Sequence, residues 1–257
     1  MLISATDIIK QSFELYRNNW KIFIQYALLL LIPGTLIGAS GASLGYFILA
    51  TDFIISFLAW GILIVLFSIL SFWFSLALIR VINKRYQNLP TKNLKEELLD
   101  SKNLILPAIL ASILSGLAVM GGIVLFIIPG IIFAVWFMFS MYEVALDNKK
   151  TIEALQHSKD LVSGRWFAVA WRIIAPAVLF GIIIIIIQWI LVIPLNLLGN
   201  QMSGTAAMIW GGIYAILTTL ISTIAAPLTT TAPTILYHNL KENPVITEKS
   251  QLEPPKA

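Results

Sequence analysis

Apolar residues run through this chain in long uninterrupted blocks, separated by short polar stretches. A helix needs about 20 apolar residues to cross a hydrocarbon core of roughly 30 Å. Six blocks meet that length, near residues 21–42, 53–79, 104–125, 129–146, 167–194 and 206–236. Inside lipid every backbone N–H and C=O must be satisfied within the protein, so runs of this kind predict helices and not isolated strands. The expected fold class is all-α: a polytopic membrane helix bundle of six transmembrane helices plus two interfacial amphipathic helices. The expected layout is one membrane domain over 1–240 and a disordered tail over 241–257, where Pro244, Pro254 and Pro255 sit among polar residues. The turn between the third and fourth blocks has two readings. It falls at Ile127-Ile128-Pro129-Gly130, the favoured position because proline suits a first helical turn. Otherwise it falls at Gly121-Gly122, with Pro129 kinking the fourth helix.

Two polar stretches carry a helical period. Over residues 4–20, Ile9, Phe13, Tyr16 and Trp20 fall on one face beside Ile8 and Leu15, while Lys10, Gln11, Glu14, Arg17 and Asn18 fall on the other. Ser4 and Asp7 fit a capping box. Over residues 148–166, Ile152, Leu155, Val162 and Trp166 form the apolar face, and Gly164 is placed to end the helix. Each reads as a helix lying in the headgroup region, with Trp20 and Trp166 as interface anchors. Simple anchoring and a binding surface for lipid or partner both fit. The two stretches align at an offset of 146, with Asp7 on Glu153, Ser12 on Ser158, Leu15 on Leu161 and Trp20 on Trp166. Duplication and convergence of two interfacial helices both explain that pattern. In the linker 81–103, Asn93 and Glu96 are placed to cap a short helix that turns Leu94 and Leu98 inward.

Composition narrows the classes. Of 257 residues, 58% are hydrophobic and 12% charged, about half the charge of an ordinary soluble domain. Such a chain cannot cover itself with polar surface, so its apolar side chains face lipid. There is no cysteine, and the histidines are His157 and His238. Disulfides, thiolate metal sites and His-rich clusters are thereby excluded. The distribution of charge sets an expected orientation. All 17 lysines and arginines fall in the N-terminal stretch, the two long linkers with their flanks, or the tail; the opposite loops hold only Asp52. The positive-inside rule then puts both termini in the cytoplasm of a multi-pass protein of the cytoplasmic (plasma) membrane. Leu28 to Ile32 followed by Gly38-Ala39-Ser40 has the form of a signal-peptide core and cleavage site. The preceding polar stretch of about twenty residues reads as a helix, however, so the first span is expected to be retained.

Ionisable groups inside spans are functional suspects by default, because desolvating a charge is costly. Two qualify, Glu143 on the fourth span and Arg172 on the fifth. Both lie near the basic end, where an ion pair across helices or snorkelling to water competes with a substrate or proton site. The sixth span is the most hydroxyl-rich, with Thr219, Ser222, Thr223, Thr230 and Thr234, and Pro227 and Pro233 are expected to interrupt its helix. Proline-freed carbonyls and hydroxyls can line a solute path, and hydroxyls bonded to the preceding turn are the packing alternative. Glu143, Arg172, Thr219, Thr223 and Thr230 therefore form the candidate buried polar or transport set. Gly34-x-x-x-Gly38 permits close helix approach. No H-E-x-x-H, G-x-S-x-G or Walker loop occurs, and Glu96-Glu97 lacks the arginine and histidines of an intramembrane glutamate protease. No catalytic, cofactor or metal residues are expected.

The run Ile127-Ile128-Pro129-Gly130-Ile131, followed after the fourth span by Glu153-Ala154-Leu155, Ser158, Leu161 and Gly164-Arg165-Trp166, resembles a group of six-helix prokaryotic membrane proteins. Its members are YciC-like or labelled as a glycerophosphoryl diester phosphodiesterase membrane domain. The resemblance covers about 40 residues directly and, through the layout of spans, most of the chain. It implies a membrane module without an established catalytic residue, fused in some relatives to a soluble phosphodiesterase for which this chain has no room. The expected role is a non-enzymatic scaffold, assembly or envelope-maintenance component. The alternative is a small transporter or lipid-handling permease. Expected partners are the bilayer, anionic lipid headgroups at the cytoplasmic face, and a second copy or another membrane protein; nucleic acid is not expected.

Overall fold

The computed structural model describes residues 2–50, 53–199 and 201–245. Helix accounts for nearly all of them. In chain order the α-helices are α1 (Ala5–Asn18), α2 (Trp20–Ala50), α3 (Phe53–Tyr86), α4 (Leu94–Ser101), α5 (Ile105–Leu125), α6 (Ile127–Trp136), α7 (Ser140–Asp147), α8 (Thr151–Val162), α9 (Trp166–Gly199) and α10 (Gly204–Glu242). Six helical segments among the described residues are long and apolar enough to cross a membrane: Trp20–Gly38, Phe53–Tyr86, Leu94–Leu125, Ile127–Asp147, Trp166–Gly199 and Gly204–Glu242. Their outer faces are lined by large apolar side chains, with Val124 85% and Phe126 74% exposed. A water-soluble monomer does not present apolar surface on this scale. Lipid is the medium in which it is stable, and the chain is an integral membrane protein.

The helices outrun the apolar blocks. α3 continues past residue 79 to Tyr86, with Lys84 and Arg85 in its last turn, where cations meet the negative end of the helix dipole. α10 runs unbroken through Pro227 and Pro233, so the expected interruption of the sixth span does not occur. Each proline forfeits one backbone bond; nearby, the hydroxyls of Thr230 and Thr231 bond back to the carbonyls of Ala226 (2.8 Å) and Pro227 (2.7 Å). Because α10 ends at Glu242, the expected tail starts inside a helix. Residues 246–257 lie outside the described residues, as does Asp52.

The interfacial helices form, and each has a face packed on the protein and apolar side chains left open to lipid. At α1 the hydroxyl of Ser4 accepts from the N–H of Asp7 (3.1 Å) and donates to its carboxylate (2.6 Å), completing the cap. The face that α1 buries centres on Ile8 and Ser12, while Phe13 and Trp20 are exposed. In α8 the buried positions are Ala154, Ser158 and Val162, and Ile152 is 73% exposed. Small residues, Ser12, Ala154 and Ser158, stand on these packed faces beside Ile8 and Val162 and let each helix lie close to its neighbours. Ser12 and Ser158, which share a position in the offset alignment, are both fully buried. Gly164 adopts φ +78° just beyond α8 and ends it as expected.

The chain divides into two compact units. One comprises Met1–Gln11, Asn103–Pro176 and Ala232–Ala257; the other comprises Ser12–Lys102 and Ala177–Thr231. In the second unit, Phe23, Tyr26 and Leu30 of α2 pack against Phe74, Ala77, Leu78, Val81 and Ile82 of α3. Leu94 and Leu98 of α4 close that core from below, as their spacing predicts. Asn93 does occupy the N-cap of α4, but its side chain makes no cap bond. The reaching carboxylate is Glu97 and not Glu96: it accepts from the N–H of Lys92 at 2.9 Å and is gripped by Lys84 at 2.6 and 2.8 Å. Also in this unit, a Cβ on Gly34 would meet Thr219 Cγ2 at 2.7 Å. The Gly34-x-x-x-Gly38 pair thus serves close approach to α10 within the chain.

In the first unit, α5 and α6 form a tight hairpin that turns at Phe126, whose backbone is extended (φ −161°, ψ 145°). The turn falls between the two sequence readings, and Pro129 sits in the first turn of α6, where its missing N–H is no loss. The hairpin is so close that a Cβ on Gly122 would lie 2.8 Å from the backbone N and Cα of Gly130. Gly121, one residue earlier, faces open space. Gly122→Ala is therefore expected to destabilise the protein by about 1–3 kcal/mol through overpacking against backbone. Gly121→Ala should be neutral or slightly stabilising. Thermal unfolding of the two variants in detergent separates them; equal melting temperatures would contradict this packing.

Candidate functional site

The first unit holds Glu143 and Arg172 of the candidate set, and the second holds Thr219, Thr223 and Thr230. The fourth span is not one helix. It breaks at 137–139 between α6 and α7, and the break leaves backbone groups without their helical partners. One side chain serves both sides of the gap. The hydroxyl of Ser158 donates to the carbonyl of Trp136 (2.7 Å) and accepts from the N–H of Phe139 (3.1 Å). This explains why α8 must bury a serine: any closer or bulkier face would lose the bridge. The bridge also fixes α8 against the span.

Past the break, α7 carries Glu143 and Asp147 one turn apart on the same face. Asp147 is fully engaged, accepting from the Tyr237 hydroxyl at 2.9 Å and the Lys241 ammonium at 2.5 Å. Tyr237 also packs with Phe139 and Tyr142, ring centres 5.9 and 6.0 Å apart. Glu143 is different. Its carboxyl is completely buried, and neither oxygen makes a hydrogen bond of full geometry, although the Tyr237 hydroxyl stands close enough to interact with it. His157 Nδ1 stands 3.8 Å from Oε2, beyond hydrogen-bond reach. On the exposed side of α8, Glu153 takes a 2.7 Å bond from Lys149, which holds its carboxyl below the usual range; a surface pair of this kind adds little stability.

Arg172 does not pair with Glu143. Its Nε donates to the carbonyl of Ile3 (2.5 Å), Nη1 to Ala168 (2.8 Å) and Nη2 to Leu2 (3.4 Å). The guanidinium thus anchors the extended residues ahead of α1, whose Ile3 N–H in turn donates to the Asn239 side chain (2.9 Å). Arg165 plays a matching part at the end of α10, donating to the carbonyl of Leu240 at 2.9 Å and to that of Asn243. Those are last-turn carbonyls, with no helical donor left to meet them. Trp166 Nε1 reaches the carbonyl of Ile132 at 3.4 Å.

In the second unit, Thr219 and Thr223 turn their hydroxyls back to the carbonyls of Ala215 (2.7 Å) and Leu220 (3.1 Å) in their own helix. Ser222 does the same to Thr218 and accepts from Gln188 Nε2 at 3.3 Å. The candidate residues are therefore not brought together. Glu143 and Arg172 have separate surroundings within their unit, and the threonines of α10 serve their own turns.

The geometry accounts for each polar member of the motif E-A-L-x-x-S-x-x-L-x-x-G-R-W, as exposed pair, break-bridging hydroxyl, helix terminator, helix cap and indole anchor. Residues 103–254 match the family described as membrane domain of glycerophosphoryl diester phosphodiesterase. The chain belongs to this family. The matched region opens at the turn before α5 and covers the motif, both members of the Glu143–His157 contact and all of α10. No curated protein and no solved structure matches the chain. For the family, the matched name describes a membrane domain and carries no activity with it.

Sequence reasoning missed the Ser158 bridge, the Arg165 cap and the Asp147–Tyr237–Lys241 cluster. The first two had a signal in the motif itself, which spaces a serine and an arginine by seven residues between apolar positions. The third joins residues 90 and 94 positions apart and had none. Ser158→Ala would leave Trp136 C=O and Phe139 N–H unpaired in a buried setting. It is expected to cost about 1–3 kcal/mol, read as a lowered melting temperature in detergent. A full-stability Ser158→Ala protein would show that the break is satisfied by other means.

Proposed function

We propose that this chain is a non-enzymatic component of a prokaryotic cytoplasmic membrane, with both termini in the cytoplasm, serving as a scaffold in assembly or maintenance of the envelope. The observation that supports this reading is the use to which polar side chains are put. Arg172, Arg165, Ser158, Thr219 and Thr223 bond to backbone carbonyls of the protein itself. Arg172, Arg165 and Ser158 so engaged tie separate segments together, the two threonines bond within α10, and none of the five is left poised for substrate. The orientation rests on the clustering of all 17 lysines and arginines in segments that alternate with loops lacking them.

A second reading, a small transporter or lipid-handling permease, draws on Glu143. A buried carboxyl without a full hydrogen bond is costly in any interior, and it persists where it has work to do. The two readings part on a pair of variants. As a scaffold, the protein should complement a deletion strain equally well as wild type, Glu143→Gln or Thr223→Val. As a transporter, loss of the buried carboxyl should abolish complementation at matched membrane abundance.

Orientation has a direct check because the chain contains no cysteine. Ser203→Cys and Lys95→Cys both sit on exposed positions. In intact cells, an impermeant thiol reagent is expected to label the first and to reach the second only after permeabilisation. The reverse pattern would invert the assignment.

A further inference from the structure

In the first unit a groove of about 480 Å³ runs between α6 and the turn from α8 into α9. Its walls include Ile128, Ile131 and Trp136 of α6, faced by Ser163 and by Trp166 and Phe167 at the start of α9. The volume falls in the range of small-molecule sites, about 300–1,000 Å³. The groove opens toward lipid, with Ile128 71% and Phe167 83% exposed. Its lining changes along its length. Ile128 and Trp136 stand on one helix, two turns apart and spaced by about 12 Å. Between them the α6 wall is aliphatic.

Polar groups gather at the Trp136 end. Lys159 of α8 holds its ammonium 4.8 Å from the centre of the Trp136 ring. Ser163 follows one turn later, exposed, its N–H donating to the Lys159 carbonyl at 2.8 Å. The contact with the indole is electrostatic and leaves the ammonium N–H donors for a second partner. No carboxylate among the described residues pairs with Lys159. Asp160 is next in sequence and about 100° around the helix. Glu153 is held by Lys149, and His157 stands against Glu143. The groove is thus apolar along α6 and cationic at one end. Trp136 and Trp166, both in its wall, are of the residue type that favours the headgroup level.

We propose that this groove binds one anionic phospholipid, with an acyl chain along Ile131 and Ile128 and the headgroup phosphate against Lys159 and Ser163. The charge decides for this occupant. An apolar helix of a second copy would cover the isoleucines but bring nothing to the ammonium, and an uncharged lipid would do the same. The site goes beyond the scaffold reading and does not depend on it. One lysine at the headgroup level favours an anionic over a neutral lipid by about five- to tenfold.

The test uses the full chain purified in detergent, with phosphatidylglycerol and zwitterionic phosphatidylcholine of matched acyl chains as probes. Native mass spectrometry reads the lipid retained per chain across a titration. Wild type should bind phosphatidylglycerol saturably and about five- to tenfold tighter than phosphatidylcholine. Lys159→Gln should remove that preference, and Lys159→Arg, which keeps the charge, should retain it. Lys10→Gln, an exposed cation elsewhere, should leave it unchanged. Ile131→Trp, which crowds the apolar wall, should weaken both lipids alike. The ratio of the two affinities within each variant is not moved by a general loss of stability, so a merely structural role for Lys159 would leave the preference in place. Equal binding of the two lipids by wild type, a preference that survives Lys159→Gln, or undiminished binding by Ile131→Trp overturns the site. A second copy in the groove overturns it too. The chain has no cysteine of its own, so disulfide-linked dimers of Ile131→Cys formed in native membranes would reveal that occupant.

Discussion

A peptide group released from its helix inside hydrocarbon has no water to turn to, and this single requirement explains more of the structure than any other. The fourth span breaks in its middle, and the break is tolerable only because Ser158, from a different helix, supplies one donor and one acceptor to the exposed edges. Arg165 does the same for the last carbonyls of α10, and Arg172 for the extended residues ahead of α1. Each is a side chain reaching back to backbone. Polar residues in this protein are placed where helices end, and helices end where a polar residue can meet them.

The second constraint is packing without a hydrophobic drive. Lipid tails are as apolar as leucine, so helices associate through close fit and not through escape from water. The close contacts accordingly involve the smallest residues: Gly122 on Gly130 in the α5–α6 hairpin, Gly34 on Thr219 between α2 and α10, and Ala154 with Ser158 on the buried face of α8. Large apolar side chains such as Ile152 and Val124 are turned outward. In a soluble protein those outward positions would be polar.

That inversion explains what was legible in the sequence and what was not. Length and apolarity suffice to find six spans, and charge-free blocks cannot be anything else. The caps and stops that rest on local chemistry were also legible: Ser4 with Asp7, Gly164, and the inward Leu94 and Leu98. The apolar faces of α1 and α8 were legible as lipid-facing, but not which residues pack on the protein, because Ser12 and Ser158 carry no hydrophobic signal. The break at 137–139 was not legible at all, since it depends on a hydroxyl about twenty residues downstream. Glu143 and Arg172 looked like a pair because they share depth and opposite charge. The structure separates them: the Arg172 guanidinium is taken up by the carbonyls of Ile3, Ala168 and Leu2.

The same requirement gives a way to find where folding stops being the explanation. If nearly every buried polar group in such a protein is bonded to satisfy backbone, then the groups that are buried without a full hydrogen bond were not placed there by folding. Glu143 and Tyr26 are two of these, one in each unit. Their surroundings differ in kind. Glu143 lies beside Tyr237 and His157, at the end of the fourth span. Tyr26 is enclosed in the α2–α3 core, near the carboxylate of Glu97. A folding account predicts neither group, and replacing each by an apolar residue of the same shape should make the unliganded protein more stable. That such residues stand at these two places is a cost in stability, and a cost of this kind marks a position where something other than the fold has been selected.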